Sequence, residues 1–161
     1  MNRTPILAIG ICIIGCVAPM LRPVPTASEY KQRFLTHLRP EQINSLRFTY
    51  HGAVGGEASL ARFKVEANAV SEIRANAQRE DVYASQDEDA VQELKRKMAM
   101  CTDEGQIPEW FDFLFGKALP VFIDNGDSTA EHPAYLHEWY VDESRGIVYF
   151  VMIEGGMPQV A

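Results

Sequence analysis

An apolar run over residues 5–21 marks an N-terminal leader, and the rest of the chain is able to fold as a soluble domain. Arg3 precedes the run, Ile6 to Ile14 form its apolar centre, and Gly15 stands directly before Cys16. Secretory signals share this order of positive charge, apolar centre and small residue. The sequence therefore predicts a signal or anchor segment over residues 1–15, with the remainder outside the cytoplasm.

The end of this leader, Ile13-Ile14-Gly15-Cys16, resembles the lipobox of bacterial lipoproteins. The resemblance implies that Cys16 is lipidated and becomes the new N-terminus, so that a membrane anchor holds the protein in the bacterial cell envelope. Three alternatives stay open. Residues 5–21 only just reach the lower bound of about 17 residues for an uncleaved span, and a plain cleaved signal or a buried cytosolic helix also fits.

The three cysteines restrict how the domain is stabilised. They are Cys12, Cys16 and Cys101, so removal of the leader and acylation of Cys16 leave a single thiol and no internal disulfide. The fold must then rest on core packing, with Cys101 predicted as a small buried apolar side chain. The alternative is a thiol-dependent enzyme, in which a cation or histidine near Cys101 lowers the pKa of its thiol.

The charge of the chain excludes one class of partner. The net charge is −7, and removing residues 1–15 takes away Arg3 and no acid, which leaves the remainder more negative. Such a charge opposes binding to nucleic-acid phosphates, and we expect no nucleic-acid partner. Acidic and basic residues are interspersed, which is typical of a solvated surface.

A proline-rich tether over residues 16–27 precedes a single predicted domain over residues 28–161. Prolines stiffen the tether. Thr26 and Glu29 form a predicted capping box for a first helix. Alternating apolar residues predict strands at 45–51, 60–67 and 136–142, and a continuous apolar run predicts a central strand at 146–155. Helical patterns fill the middle of the chain, so we predict an α+β fold: an antiparallel sheet of about four strands, in two hairpins, with helices packed on one face.

Three parts of this pattern carry a second resemblance. A strand with Arg-Phe-Lys-Val at 62–65 enters a helix, Pro-Glu-Trp-Phe stands at 108–111, and a Trp-Tyr-Val-Asp strand at 139–142 leads into the last strand. Over residues 40–155 the chain looks like small uncharacterised exported bacterial proteins. No activity is assigned to that group, so the resemblance implies no functional residue.

Residues 108–123 are the aromatic-rich part of the chain and include Phe122. Its first half, residues 108–115, which we call the aromatic segment, holds the best candidates for a contact surface. Aromatic side chains are enriched in binding hot spots, and they also build small cores. Both interpretations stay open for the four aromatic side chains, and alternate residues on a helix cannot all face inward. The candidate partner contacts are Trp110, Phe111, Phe113 and Phe115.

Metal and cofactor motifs are incomplete. His132, His137 and Glu138 lack the spacing of a helical zinc motif, and residues 124–127 lack that of a calcium loop. The glycines at 52–56 lead into a strand and fit no phosphate-binding motif. We therefore predict no catalytic, cofactor or metal residues. The leading hypothesis is a non-enzymatic envelope domain that contacts a protein or other envelope component, with a small-ligand binding module as the main alternative.

Overall fold

The computed structural model describes residues 22–53, 56–83, 87–102, 104–126 and 134–155. The predicted leader, the lipidation site Cys16 and the first part of the tether lie outside these residues. Three α-helices, a short 3-10 helix and seven strands are present in the described part. In chain order they are α1 Ala27–Phe34, the 3-10 helix Pro40–Gln42, β1 Asn44–Phe48, β2 His51–Ala53, β3 Gly56–Lys64, α2 Ala67–Asn76, β4 Arg79–Tyr83, α3 Glu88–Met100, β5 Leu119–Gly126, β6 Tyr135–Asp142 and β7 Ile147–Gly155.

The strands form one antiparallel sheet in the order β1-β3-β7-β6-β5-β4. The strand β2 also pairs with β3, beyond the end of β1, so β1 and β2 share one edge of the sheet. The last strand, β7, lies near the middle, with β3 on one side and β6 on the other. This position confirms that the continuous apolar run is a central strand.

The α+β class and the antiparallel sheet are confirmed, but the predicted number of about four strands is wrong, because the sheet has seven. The strand β4, with the sequence Arg-Glu-Asp-Val-Tyr, is exposed along most of its length and shows no apolar alternation. The strand β5 ends in Asp124-Asn125-Gly126, which resembles a turn in sequence. Polar residues therefore concealed β4 and the end of β5. The third additional strand arises because the predicted strand at 45–51 is divided between β1 and β2.

The prediction that helices cover one face of the sheet is also wrong. Side chains alternate across each strand, and here both sets are buried. On the first face, α1 and α2 pack on Phe63, Trp139 and Phe150. On the second face, α3 and the aromatic segment pack on Leu60 and Tyr149. The sheet therefore separates two apolar layers, which we call the first and second core.

The helix α1 begins where its capping box predicts. The Thr26 hydroxyl accepts a hydrogen bond from Glu29 N at 3.3 Å, and the Glu29 carboxylate accepts one from Thr26 N at 2.7 Å. These bonds satisfy N–H groups that a helix start leaves without partners. One face of the helix then carries Tyr30 and Phe34 into the first core.

The turn between β6 and β7 depends on Gly146. Its φ is +60°, a left-handed conformation that glycine adopts at low cost. A Cβ at this position would lie 3.1 Å from the Val65 carbonyl oxygen. The Gly146 carbonyl accepts a hydrogen bond from Val65 N at 3.0 Å, so this turn is joined to the end of β3.

Candidate functional site

The aromatic segment crosses the second face of the sheet in a series of tight turns. Phe111 N donates to Pro108 O at 2.9 Å, Phe113 N to Phe111 O at 2.8 Å, and Phe115 N to Phe113 O at 3.2 Å. The backbone therefore folds back on itself every few residues without forming a regular helix or strand. Side chains leave such a path in several directions, and they divide between core and surface.

Two of the predicted contact residues belong to the core. Phe111 is 3% exposed and Phe113 is 6% exposed. The Phe113 ring centroid lies 5.2 Å from those of Tyr140 and Tyr149, in edge-to-face geometry. Such contacts add to the stabilisation that burial provides. Phe111 and Phe113 therefore hold the aromatic segment on the sheet.

The other two predicted contact residues remain partly accessible. Trp110 and Phe115 are half-buried against the second core, and the neighbouring Leu114 is 43% exposed. The Lys95 ammonium lies 5.2 Å from the centre of the Phe115 ring, a cation–π distance. We call Trp110, Leu114 and Phe115 the contact surface. Leu114 was not predicted, although its place between two phenylalanines was a signal in the sequence.

An acidic residue within this run, Asp112, is held by three side chains of the sheet and its last turn. Arg62 Nε donates to Asp112 Oδ1 at 2.6 Å, the Tyr149 hydroxyl donates to the same oxygen at 3.0 Å, and Arg145 pairs with Oδ2. We call these four residues the Asp112 clasp. Although burial acts to raise it, the hydrogen bonds from Arg145, Arg62 and Tyr149 lower the pKa of Asp112 to about 2.

A second ion pair fixes the chain just after the aromatic segment. Lys117 Nζ donates to Asp142 Oδ1 at 2.8 Å and to Ser144 Oγ at 2.9 Å. Asp142 is only 1% exposed, yet hydrogen bonds from Lys117 and Ser144 outweigh the effect of burial and lower the pKa of its carboxyl group. The aromatic segment is thus held by charged groups at its middle and beyond its end.

The tether is docked on the sheet through a buried carboxylate. Arg22 N donates to Gly52 O at 3.1 Å, and the Arg22 guanidinium pairs with Glu57. Arg33 of α1 donates to both oxygens of the same carboxylate, at 2.7 and 2.8 Å. Glu57 is 2% exposed, so its charge needs these partners. Two arginines from different parts of the chain therefore meet at one strand.

A cleft of about 540 Å³ opens between the tether and the segment that follows α3. We call it the tether cleft. The tether contributes one wall, the bend after β1 a second, and the chain between α3 and the aromatic segment a third. Its principal lining residues are Val24, Tyr50, Thr102, Glu104, Ile107 and Glu109. None of these residues was predicted to bind anything, because the cleft forms only when three distant segments meet.

Cys101 lies at the C-terminal end of α3 and is fully buried. Its thiol donates to Lys97 O at 3.4 Å. Burial raises the pKa of Cys101 to about 12, and the charge of Lys97 only partly opposes this shift. The thiol is therefore protonated at neutral pH, whereas a nucleophile needs the thiolate.

Two histidines of the described part, His37 and His137, are paired with carboxylates from neighbouring elements. His37 hydrogen-bonds to Asp124, which lies in β5 and not in a calcium-type loop. His137 Nε2 lies 2.9 Å from Glu154 Oε1, and Glu138 points to the other face, where Lys97 donates to it at 2.7 Å. His132 lies outside the described residues. Among the residues that are described, no three His, Cys, Asp or Glu side chains are arranged to hold a metal ion.

Comparisons with protein-family models, with curated proteins and with solved structures found no match. None of the helices within the described ranges has the length and apolar character needed to cross a bilayer. The residues of this chain alone therefore carry the case for its function.

Proposed function

We propose that this protein is a membrane-tethered, non-enzymatic domain of the bacterial cell envelope that binds a protein or another envelope component. The binding residues are those of the contact surface, Trp110, Leu114 and Phe115. One observation carries the proposal: the Asp112 clasp and the buried rings of Phe111 and Phe113 fix the aromatic segment while its remaining apolar side chains stay accessible.

The energetics of binding favour this arrangement. Ordering a loop at an interface costs free energy, and a segment that is already fixed avoids that cost. Tryptophan is among the residues most enriched in hot spots, where it fills a pocket of the partner. The half-buried Trp110 and the 43% exposed Leu114 lie in the same fixed segment and offer such groups without a large exposed apolar patch.

The location rests on the leader and on the tether. Residues 5–21 have the order of a secretory signal, and Ile13 to Cys16 resemble a lipobox. Arg22, the first described residue, is held on the sheet by Glu57 and Gly52, which agrees with an anchor placed N-terminal to the domain. Catalysis by a Cys101 thiolate receives no support, because the thiol is buried and is protonated at neutral pH.

The contact surface is tested by Trp110→Ala, measured in two ways on the same preparation. We expect the variant to melt within a few degrees of the wild type and to lose crosslinked partners in a pull-down from intact envelopes. Val82→Ala is the matched control, because Val82 is an exposed apolar residue of β4, outside the aromatic segment. A folded Trp110→Ala that still captures every wild-type partner would falsify the contact surface.

The anchor is tested separately. Metabolic labelling with a fatty acid should mark the wild-type protein, and Cys16→Ser should release the domain from membranes or leave it unprocessed. If the wild-type protein takes up no label, lipidation at Cys16 is wrong, while the contact surface stands or fails by its own experiment.

A further inference from the structure

The stretch between α3 and β5 has an unusual charge. Residues 101–116 contain four acids, Asp103, Glu104, Glu109 and Asp112, and the first basic residue after α3 is Lys117, which is paired with Asp142. The Asp112 clasp neutralises one of them. Within the described residues, Glu104 and Glu109 have no ion-pair partner, and both are exposed and line the tether cleft.

Buried carboxylates elsewhere in the described part form ion pairs with basic side chains. Glu57 has two arginines, Glu138 has Lys97 and Asp142 has Lys117. The tether cleft differs because no basic side chain of the described part lines it. Two unmatched carboxylates at a concave surface give a negative potential that attracts cations.

The same cleft also offers apolar surface. Val24 is 68% exposed on the tether wall, and Ile107 and the Tyr50 ring contribute to the other walls. The volume of about 540 Å³ exceeds what one ammonium or guanidinium group fills, so a matching ligand also has an apolar body. Lysine and arginine side chains combine these properties, because an aliphatic stem carries the charge.

We propose that the tether cleft binds an extended cationic peptide segment of a partner protein, in which lysine or arginine side chains meet Glu104 and Glu109 while apolar side chains contact Val24 and Ile107. An extended segment presents alternate side chains in opposite directions and so serves both kinds of surface. This interaction is separate from the contact surface and involves only Pro108 and Glu109 at the start of the aromatic segment.

The walls of the cleft are held in place without a ligand. The Thr49 hydroxyl donates to Cys101 O at 3.0 Å and accepts from Leu60 N at 3.0 Å, which joins the bend after β1 to the end of α3. Gln106 N donates to the Thr102 hydroxyl at 3.1 Å. A site that is already formed loses little conformational freedom on binding.

The test titrates the purified chain with a short labelled peptide in which lysine and valine alternate, followed by fluorescence anisotropy. We expect saturable binding that weakens with added salt, because the carboxylates are exposed. Glu104→Gln with Glu109→Gln should weaken binding about fivefold to tenfold, as expected for two exposed charge contacts. Val24→Lys should weaken it too, since its ammonium competes for the same carboxylates.

The control pair is Glu66→Gln with Glu88→Gln, which removes two exposed carboxylates that lie outside the cleft. This pair should change the affinity less than twofold. Equal weakening by both pairs would show that net charge alone attracts the peptide, and unchanged binding by Val24→Lys would also overturn the site. Lysine methyl ester that binds as tightly as the peptide would overturn the assignment to a peptide. Trp110→Ala leaves the carboxylates of Glu104 and Glu109 in place, so peptide binding by this variant tests the cleft independently of the contact surface.

Discussion

Arg62 Nε lies 2.6 Å from Asp112 Oδ1, and this ion pair joins β3, an inner strand of the sheet, to the aromatic segment. Arg145 reaches the other oxygen from the turn before β7, so one carboxylate connects three parts of the chain. Among the described residues, the backbone bonds of Phe111, Phe113 and Phe115 are local turns, and charged side chains join the segment to the sheet. We therefore expect the stability of the fold to depend on the ionisation of Asp112.

Asp112→Asn should lower the free energy of unfolding by about 1 kcal/mol at pH 7. The pKa of about 2 in the folded state lies below the usual value near 4, but the side chain is 43% exposed and solvent screening reduces the contribution. A depressed pKa stabilises the fold above the unfolded pKa, and this stabilisation is lost as the pH falls from about 4 toward about 2.

Urea unfolding of wild type and Asp112→Asn across this range checks the prediction. The difference between the two proteins should shrink as the pH falls. Asp89→Asn removes an exposed carboxylate of α3 and serves as the control. A difference that is constant with pH would mean that the clasp acts through shape and not through charge.

Phe150→Ala should lower the free energy of unfolding by about 3–5 kcal/mol, because it leaves a cavity in the first core. Phe150 is fully buried in β7, and its ring centroid lies 4.5 Å from that of Trp139. Chemical denaturation measures the loss, with Val82→Ala as an exposed comparison. A loss below about 1 kcal/mol would contradict the packing of β7 against α1 and α2.

Cys101 should react with alkylating agents only when the fold opens. The experiment uses full-length protein with Cys12→Ser and Cys16→Ser, so that one thiol remains. At neutral pH we expect alkylation far slower than for a free cysteine, because the pKa of about 12 keeps the thiol protonated and burial blocks the reagent. Urea should restore the ordinary rate. Fast alkylation of the native protein would reopen the thiol-enzyme alternative.

Arg22→Ala should weaken binding of the lysine–valine peptide, although it removes a positive charge from an acidic protein. The loss of one positive charge, taken alone, predicts tighter binding of this cationic peptide. Loss of the Arg22–Glu57 pair, however, releases the tether that carries Val24, and an unfixed wall must be ordered when the ligand binds. Anisotropy gives the affinity, and exchange of the amide of residue 22, which donates to Gly52 O, reports the docking. Tighter binding would exclude the tether as a wall.

Local sequence patterns predicted the elements that are marked in the sequence by a capping box or by the spacing of apolar residues. The capping box at Thr26 and Glu29, the alternation in β3 and the apolar run of β7 are examples. The sequence did not reveal β4, because an edge strand with polar residues lacks an apolar period. It also assigned helices to one face, since the covering of the second face by α3 depends on tertiary contacts.

The sequence predicted only part of the candidate site, because the rest depends on contacts between residues that are distant in sequence. Aromatic composition drew attention to residues 108–115, but it could not separate the buried Phe111 and Phe113 from the accessible Trp110. That division follows from tight turns and from the partners of Asp112, which are distant in sequence. The tether cleft combines three distant segments, and no local pattern contains such information.

The two edges of the sheet determine how the protein behaves at high concentration. An unpaired strand edge is a template for another chain, which can lead to fibres. At the β4 edge, a twofold-related antiparallel copy would set Asp81 opposite Asp81, and like charges repel. At the β1 edge, Ser45 has a φ of 52° where the register shifts, so this edge is not flat. Both edges therefore oppose strand-to-strand pairing between copies of the protein.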